Sequence, residues 1–555
     1  EEAEAARCAA VRAIAERLHI RTVERDAPDA ARVLDRDASA GDAERLRSRT
    51  LGLMLEDTAL ELGAMALSPL SKTEYALAAP ALAGAEDMPE PLPGISESER
   101  EMRGLWIATV NNINFPSAQG LSAQALAEEL DAIVAFAAEN GFNTILFQVR
   151  PSADALYDSK MFPQSRFVSG RAGEAADGDF DCLAYLTGAA RRADISVYAW
   201  INPLRVTTGS AAYPQTDRSA LPESSPAALH PEWVESYADG KLYFNAGVPE
   251  VRQYVAEGVR EVCENYTVDG IIFDDYFYPY PVSGAQFDDA AEYTAYGSGF
   301  ASLEDFRRDN VNQLVRLCYE TVKSVDPSLR FGVSPFGIWK NSDGQNGGSA
   351  TRGLSAYNSI YCDALAWVAG GYVDFLAPQL YWSFADTAAP FGTLCDWWSR
   401  ALDSAGVDLY ICHGVYRYAE GRMENGEMTA QVGYARKLHS YRGSLFYGYA
   451  ALKEDAGGVR TEMREIFADD YMYPAYTDSG IPLQIDGYVS GQTVTEDAVL
   501  ITGMSNPAYA VSVNGITPLR EKSGRYSITL ALAEGNNLIT VACGSEKLEL
   551  VLVRK

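Results

Sequence analysis

The chain has 555 residues, of which 47% are apolar and 22% charged, proportions that exclude a mainly disordered protein and leave material for several domains. Acidic residues outnumber basic ones 76 to 46, a formal net charge of −30, and a field of that sign repels phosphate backbones and anionic membrane surfaces, so neither nucleic acid nor a lipid surface is an expected partner. No apolar run reaches the roughly 18 residues a membrane span requires, and the chain opens at Glu1 with neither an initiator Met nor a leader pattern, which fits a start after a removed targeting segment.

In chain order, residues 1–98 read as a helical region followed by a linker. Ala13, Ile14, Arg17 and Leu18, then Leu46, Leu51, Met54 and Leu55, recur at helical spacing, and Glu86 to Gly94 is acidic and proline-rich. From 99 to 476 the texture changes. Eight segments rich in aromatic and branched residues alternate with helical patterns: Met102–Val110, Thr144–Arg150, Ser196–Arg205, Asp269–Tyr278, Leu329–Trp339, Val373–Trp382, Val407–Arg417 and Gly443–Leu452. Strands alternating with helices call for a parallel sheet covered on both faces, and eight units in a row point to an α/β fold closed as a (β/α)8 TIM barrel. No G-x-G-x-x-G follows the first strand, against dinucleotide binding. Residues 477–555 carry short strands punctuated by Asn514-Gly515, Ser523-Gly524 and Glu534-Gly535, the pattern of an immunoglobulin-like β-sandwich.

Eight cysteines lie far apart without a C-x-x-C pair, and histidines number four, so buried free thiols or an incidental disulfide are expected rather than a metal or redox centre.

Barrel sites form at the carboxyl ends of the strands. Here those ends hold Trp106, then Gln148 and Arg150, Trp200 with Asn202 and Arg205, Asp274-Asp275-Tyr276, Trp339, Gln379 with Tyr381 and Trp382, and Tyr416. Four of the eight tryptophans fall there, although barrel interiors are normally filled by Val, Ile and Leu. Flat rings beside Asn, Gln and Arg suit a saccharide, which has a C–H face and a polar edge. Trp106, Trp200, Trp339, Tyr381 and Trp382 are therefore expected to form stacking walls, with Arg150, Asn202, Arg205 and Gln379 positioning hydroxyls. Asp274 and Asp275 are the candidate catalytic carboxylates. Continued strand alternation would turn Asp274 and Tyr276 inward and Asp275 outward. Glycoside hydrolysis ordinarily uses a second carboxyl group, and Asp275, Asp154, Asp158 and Asp386 all remain open for that place. Such chemistry needs no metal or cofactor.

Met102-Arg103-Gly104-Leu105-Trp106, Phe147-Gln148-Val149-Arg150, Ala199-Trp200-Ile201-Asn202-Pro203, the run from Asp269 to Pro279, Ser334-Pro335-Phe336-Gly337-Ile338-Trp339 and Pro378-Gln379-Leu380-Tyr381-Trp382 together resemble the glycosyl hydrolase-like family 10 barrels, in strand order across about residues 100–470. The resemblance implies a TIM-barrel glycosidase exported to the cell envelope and acting on an oligosaccharide or polysaccharide; one bacterial member type cleaves peptidoglycan strands stripped of stem peptides. Leu204 stands where the family often has an aromatic residue, and Asn245-Ala246 where Asp-Pro is common; both are expected to border the cleft, so a different substrate preference is expected. A barrel acting on dietary or host polysaccharide, and a non-catalytic sugar-binding barrel, are the two rival readings.

Overall fold

The computed structural model describes residues 100–208, 218, 221–344, 347–403, 405–468, 471 and 480–555. The helices expected within 1–65, the acidic linker and the boundaries at 98/99 and 476/477 lie outside the described residues.

Eight parallel strands close into a barrel: β1 (Met102–Ile107), β2 (Thr144–Arg150), β3 (Ser196–Ile201), β4 (Gly270–Phe273), β5 (Arg330–Val333), β6 (Phe375–Leu376), β7 (Asp408–Gly414) and β8 (Tyr441–Tyr447). β1 pairs with both β2 and β8, which closes the ring. Each strand is followed by a helix, in order α1 (Ala123–Glu139), α2 (Cys182–Arg192), α3 (Pro249–Asn265), α4 (Leu303–Val325), α5 (Ala364–Gly370), α6 (Phe391–Leu402), α7 (Glu427–Ala435) and α8 (Val459–Ile466). The helices begin where local chemistry dictates. Ser122, Asp181 and Ser302 accept backbone N–H groups at the starts of α1, α2 and α4, and Pro249 opens α3, where a missing N–H costs nothing. The apolar stripe Leu126, Leu130, Ile133, Val134 and Ala137 of α1 is buried against the barrel, as its spacing predicts.

Strand alternation separates two cores. Leu105, Ile107, Phe147, Ile271 and Phe273 face the helices, while Trp106, Leu146, Tyr198, Trp200, Ile272, Phe375, Tyr410 and Leu445 fill the barrel. Several strands end earlier than their composition suggests. β4 stops at Phe273, β5 at Val333 and β6 at Leu376; past β5 and β6 isolated parallel bridges still join Gln379 to Phe336 and to Cys412 before the chain enters the loops of the mouth.

The C-terminal part forms two sheets around one apolar core. One, of order β9-β15-β14-β11, contains β9 (Gln492–Val494), β11 (Val511–Val513), β14 (Gly535–Cys543) and β15 (Glu546–Arg554). The other, β10-β13-β12, contains β10 (Ala498–Met504), β12 (Leu519–Arg520) and β13 (Arg525–Ala531). This is a β-sandwich. The stretch 493–502, which reads as one strand, is two strands in different sheets, and β12 carries no sequence pattern long enough to announce itself. Arg520 meets Asp403, at the end of α6, at 3.3 Å with both side chains buried, and His439 Nδ1 lies 2.6 Å from the same carboxylate. All described cysteines are buried and free.

Candidate active site

The mouth of the barrel holds a cavity of about 310 Å³. Trp106 from β1, Trp200 from β3, Asp274, Asp275 and Tyr276 after β4, Ser334 and Phe336 after β5, Gln379, Tyr381 and Trp382 after β6, Tyr416 after β7 and Tyr447 from β8 line it. Both aspartates are at its floor, Asp274 5% and Asp275 1% exposed, whereas Tyr276 at the rim is 38% exposed.

Asp274 lies inward as alternation from Ile272 requires. The reading that sends Asp275 outward is corrected, since Asp275 also lines the cavity. The reason is that β4 ends at Phe273, so period-two alternation no longer applies. Tyr276 N–H turns back to Asp274 Oδ1 at 3.0 Å, and Phe277 N–H to the Asp275 carbonyl at 3.0 Å, which folds the chain into a turn that delivers neighbouring carboxylates to one side.

The two acids are held by different partners. Asp274 Oδ2 accepts from Asn202 Nδ2 at 2.6 Å and from Trp200 Nε1 at 3.1 Å. Asn202 is itself fixed by Gln148, whose Nε2 donates to Asn202 Oδ1 at 2.7 Å and whose Oε1 accepts Thr109 and Val110 N–H, each at 2.9 Å. Asp275 Oδ1 accepts from Gln379 Nε2 at 3.2 Å, and its Oδ2 accepts from the Tyr280 hydroxyl. Burial raises the pKa of both carboxyl groups. On Asp274 that rise is opposed by the Arg205 charge and by three hydrogen bonds; Asp275 feels the Asp274 charge as well as burial and is pushed up to about 7. The two carboxyl groups therefore titrate as a pair, each pushed by burial toward its protonated form.

The walls are aromatic. Trp106 meets Trp200 edge-on at 4.8 Å, Phe336 meets Trp382 edge-on at 5.7 Å, and Tyr381 stacks on Tyr447 at 6.0 Å with Tyr416 perpendicular to both. Gly414 leaves room for this ring: a Cβ there would lie 3.0 Å from the Tyr381 side chain, which would have to shift by a few tenths of an ångström.

Other expected site residues lie elsewhere. Arg150 is 0% exposed and does not line the cavity. The β2–β3 register slips between Gln148 and Arg150, and this irregularity pairs Arg150 with the outward-facing Ile201. Its guanidinium lies 3.7 Å over the Phe162 ring in the helical layer, where the absent side chain of Gly258 in α3 makes room. Trp339 is likewise outside the cavity, because β5 has ended six residues earlier; its Nε1 donates to Asp363 at 3.0 Å and its ring stacks on Trp397 at 5.6 Å. Arg205 donates to the Pro151 carbonyl at 2.7 Å and lies 5.0 Å over the Tyr276 ring, reaching Asp274 through its charge rather than lining the cavity. Of the acids left open as partners, Asp154 is bonded to Ser165 at 2.6 Å, Asp158 is paired with Lys160 at the surface at 2.7 Å, and Asp386 accepts the N–H groups of Ala388 and Ala389. None lines the cavity, which leaves Asp275. Leu204 is buried in the outer core and Asn245 is bonded to Glu292 at 3.0 Å; neither borders the cleft.

Tyr280, Ser334, Phe336 and Tyr447 line the cavity without having been singled out by sequence pattern. For Tyr280 and Tyr447 the signal is present, in the aromatic run after Asp275 and in the last position of β8. Among the described residues no cluster of three or more His, Cys, Asp or Glu could hold a metal ion, and no helix is long and apolar enough to cross a membrane.

A (β/α)8 barrel with a carboxylate pair sunk in an aromatic-walled mouth has the form of a glycoside hydrolase. Residues 101–427 match the model of the glycosyl hydrolase-like 10 family. The chain is 35% identical over 391 residues to the glycosyl hydrolase YngK of Bacillus subtilis, covering 69% of this chain and 74% of that protein, and 34% identical over 338 residues to the glycosyl hydrolase DigH of Escherichia coli K12, covering 58% and 75%. The PgaB (BpsB) glycoside hydrolase domain of Bordetella bronchiseptica aligns with a TM-score of 0.44 at 14% identity, over 66% of this chain and 99% of that domain. The chain belongs to the glycosyl hydrolase-like 10 family.

Proposed function

We propose that the protein cleaves O-glycosidic bonds in peptide-free peptidoglycan strands outside the cytoplasm. The observation that carries the reading is the Asp274–Asp275 pair, buried, with both carboxyl pKa values raised, and lining a cavity walled by Trp200, Tyr381 and Trp382. Asp275, protonated, gives its proton to the leaving sugar oxygen and afterwards takes one from water; Asp274, ionised, stabilises positive charge at the anomeric centre. Tyr276, Tyr381, Trp382 and Tyr416 cover the apolar sugar faces, and Gln379 and Asn202 hold the carboxylates. The net charge of −30 disfavours polymers dense in phosphate, and relatives at 35% and 34% identity carry the name glycosyl hydrolase, which supports a glycan substrate.

The test is incubation with peptide-free wall glycan, intact peptidoglycan and neutral storage polysaccharides. Release of new reducing ends from the stripped glycan, lost by at least about 100-fold in Asp275→Asn, supports the reading. Turnover of storage polysaccharide alone overturns the substrate, and sugar binding without turnover of any glycan overturns the reaction.

A further inference from the structure

We infer that the substrate sugar on the non-reducing side of the scissile bond carries a 2-acetamido group in a β-glycoside, and that this group, rather than a protein carboxylate, is the nucleophile. The inference rests on the glycosidase reading above and adds the source of the attacking atom.

Displacement by a carboxylate needs two acids across the anomeric carbon, about 5–5.5 Å apart, and direct attack by water needs them about 6.5–9.5 Å apart. Among the described residues the cavity has two acids, Asp274 and Asp275, adjacent in the chain and both delivered from the end of one strand. Around the rest of the wall the strand ends offer Ser334, Gln379, Tyr381, Trp382, Tyr416 and Tyr447. Among the described residues no further acid lines the cavity opposite the pair. Burial raises the pKa of the Tyr381, Tyr416 and Tyr447 hydroxyls, so they stay protonated, and this wall offers neither an ionised nucleophile nor a base for water.

Asp274 is built to orient a group. Its Oδ2 is taken by Asn202 and Trp200, and Oδ1 carries one protein hydrogen bond, from Tyr276 N–H, so Oδ1 retains capacity for a further donor. An amide N–H is such a donor. With the acetamido N–H on Asp274, its carbonyl oxygen is directed to C1 from the face opposite the leaving oxygen. In the first step the acetamido oxygen–C1 bond forms, the bond from C1 to the leaving oxygen breaks, and the Asp275 proton passes to that oxygen. The resulting cyclic cation is stabilised by the Asp274 charge. In the second step water attacks C1, gives a proton to Asp275, and the oxygen–C1 bond of the ring opens to restore the acetamido group. Two inversions give net retention, and the geometry requires the acetamido group trans to the leaving group, hence a β-linkage in a gluco-configured sugar. The tight aromatic cluster of Trp106, Trp200, Tyr381 and Tyr447 presents apolar surface to a methyl group.

The experiment uses the full chain with aryl β-glycosides of 2-acetamido-2-deoxyglucose whose acyl group bears zero, one, two or three fluorines, alongside peptide-free wall glycan read by NMR for the first-formed anomer. Expected are a progressive fall in kcat/KM of about 100-fold or more across the series, retention of configuration, and competitive inhibition by the thiazoline analogue of the cyclic intermediate. Asp274→Asn should lower kcat at least about 100-fold while changing KM little. Cleavage of wall glycan with inversion, rates indifferent to fluorination, or a trapped glycosyl–aspartate would overturn the inference while leaving the glycosidase reading intact. Cleavage confined to sugars without an acetamido group would overturn both. Binding of the thiazoline analogue to Asp275→Asn, followed by calorimetry, keeps the question answerable where turnover is slow; no binding counts against the inference.

Discussion

Asn202 Nδ2 donates to Asp274 Oδ2 at 2.6 Å, and Asn202 is in turn held by Gln148 at 2.7 Å. The chain of bonds runs from the backbone after β1 through a side chain of β2 and one just past β3 to the acid after β4. Four consecutive staves thus fix one carboxylate, which is how a barrel converts closure of its sheet into catalytic geometry.

Removing this relay alters titration as well as rate. Asn202→Leu deletes a donor that favours the charged form of Asp274, so the acidic limb of the kcat/KM profile moves to higher pH. Gln148→Leu, which leaves Asn202 in place but unanchored, should move the same limb in the same direction by a smaller amount. The pH profiles of both variants check this, and an unmoved acidic limb in Asn202→Leu contradicts it.

Asp275 makes activity and stability depend on pH in a defined direction. Its pKa of about 7 in the folded protein exceeds the roughly 3.9 of a free Asp, so the stability it contributes is complete below about pH 4 and is lost as pH rises toward 7. Activity needing its proton falls over the alkaline side of the same transition. Asp275→Asn should therefore raise Tm at pH 8 relative to wild type, show a smaller gain at pH 4, and abolish the alkaline limb along with most turnover. Thermal denaturation at the two pH values provides the comparison.

Arg150 and Gly258 form a test of placement. Arg150 lies in the helical layer against Phe162, so Arg150→Met, of comparable length and uncharged, should leave KM unchanged and the folded state at least as stable. Gly258→Ala drives a Cβ to 2.5 Å from Arg150 Nη1 and 2.6 Å from Phe162, which should cost about 1–3 kcal/mol. The double variant should recover part of that loss, because Met bends where guanidinium does not. Urea denaturation of the four proteins reads the cycle; a raised KM in Arg150→Met would return Arg150 to the substrate site.

Two tryptophans that look alike in sequence should behave differently. Trp382→Ala removes a wall of the cavity and should raise KM on glycan substrates by about tenfold or more, with little change in Tm. Trp339→Ala empties a packed position between Trp397 and Tyr357 and should lower stability by about 3–5 kcal/mol with KM intact in whatever protein remains folded. Steady-state kinetics together with thermal melts separate the two.

The eight staves and their helices are legible in the chain because burial on both faces of a parallel sheet writes unbroken apolar runs, and packing against it writes helical stripes such as Leu126, Leu130 and Ile133. Asp274 is legible for the same reason, as a charge at the end of Ile271-Ile272-Phe273. The inward placement of Asp275 and the placement of Arg150 and Trp339 outside the cavity are not, since a turn after Phe273, a register slip after Gln148 and the early end of β5 each break the alternation that a linear reading extends.

The amino-acid order by itself determined which segments become staves and that an acid crowns the fourth, because periodic burial is a local property of the chain. Tertiary structure alone decided that both acids line one cavity, that Tyr280 and Gln379 hold one while Asn202 and Trp200 hold the other, and that no further acid among the described residues lines it. Those relations join residues as far apart as Asp275 and Gln379, and distance, burial and coupled titration between such groups exist only once the barrel has closed.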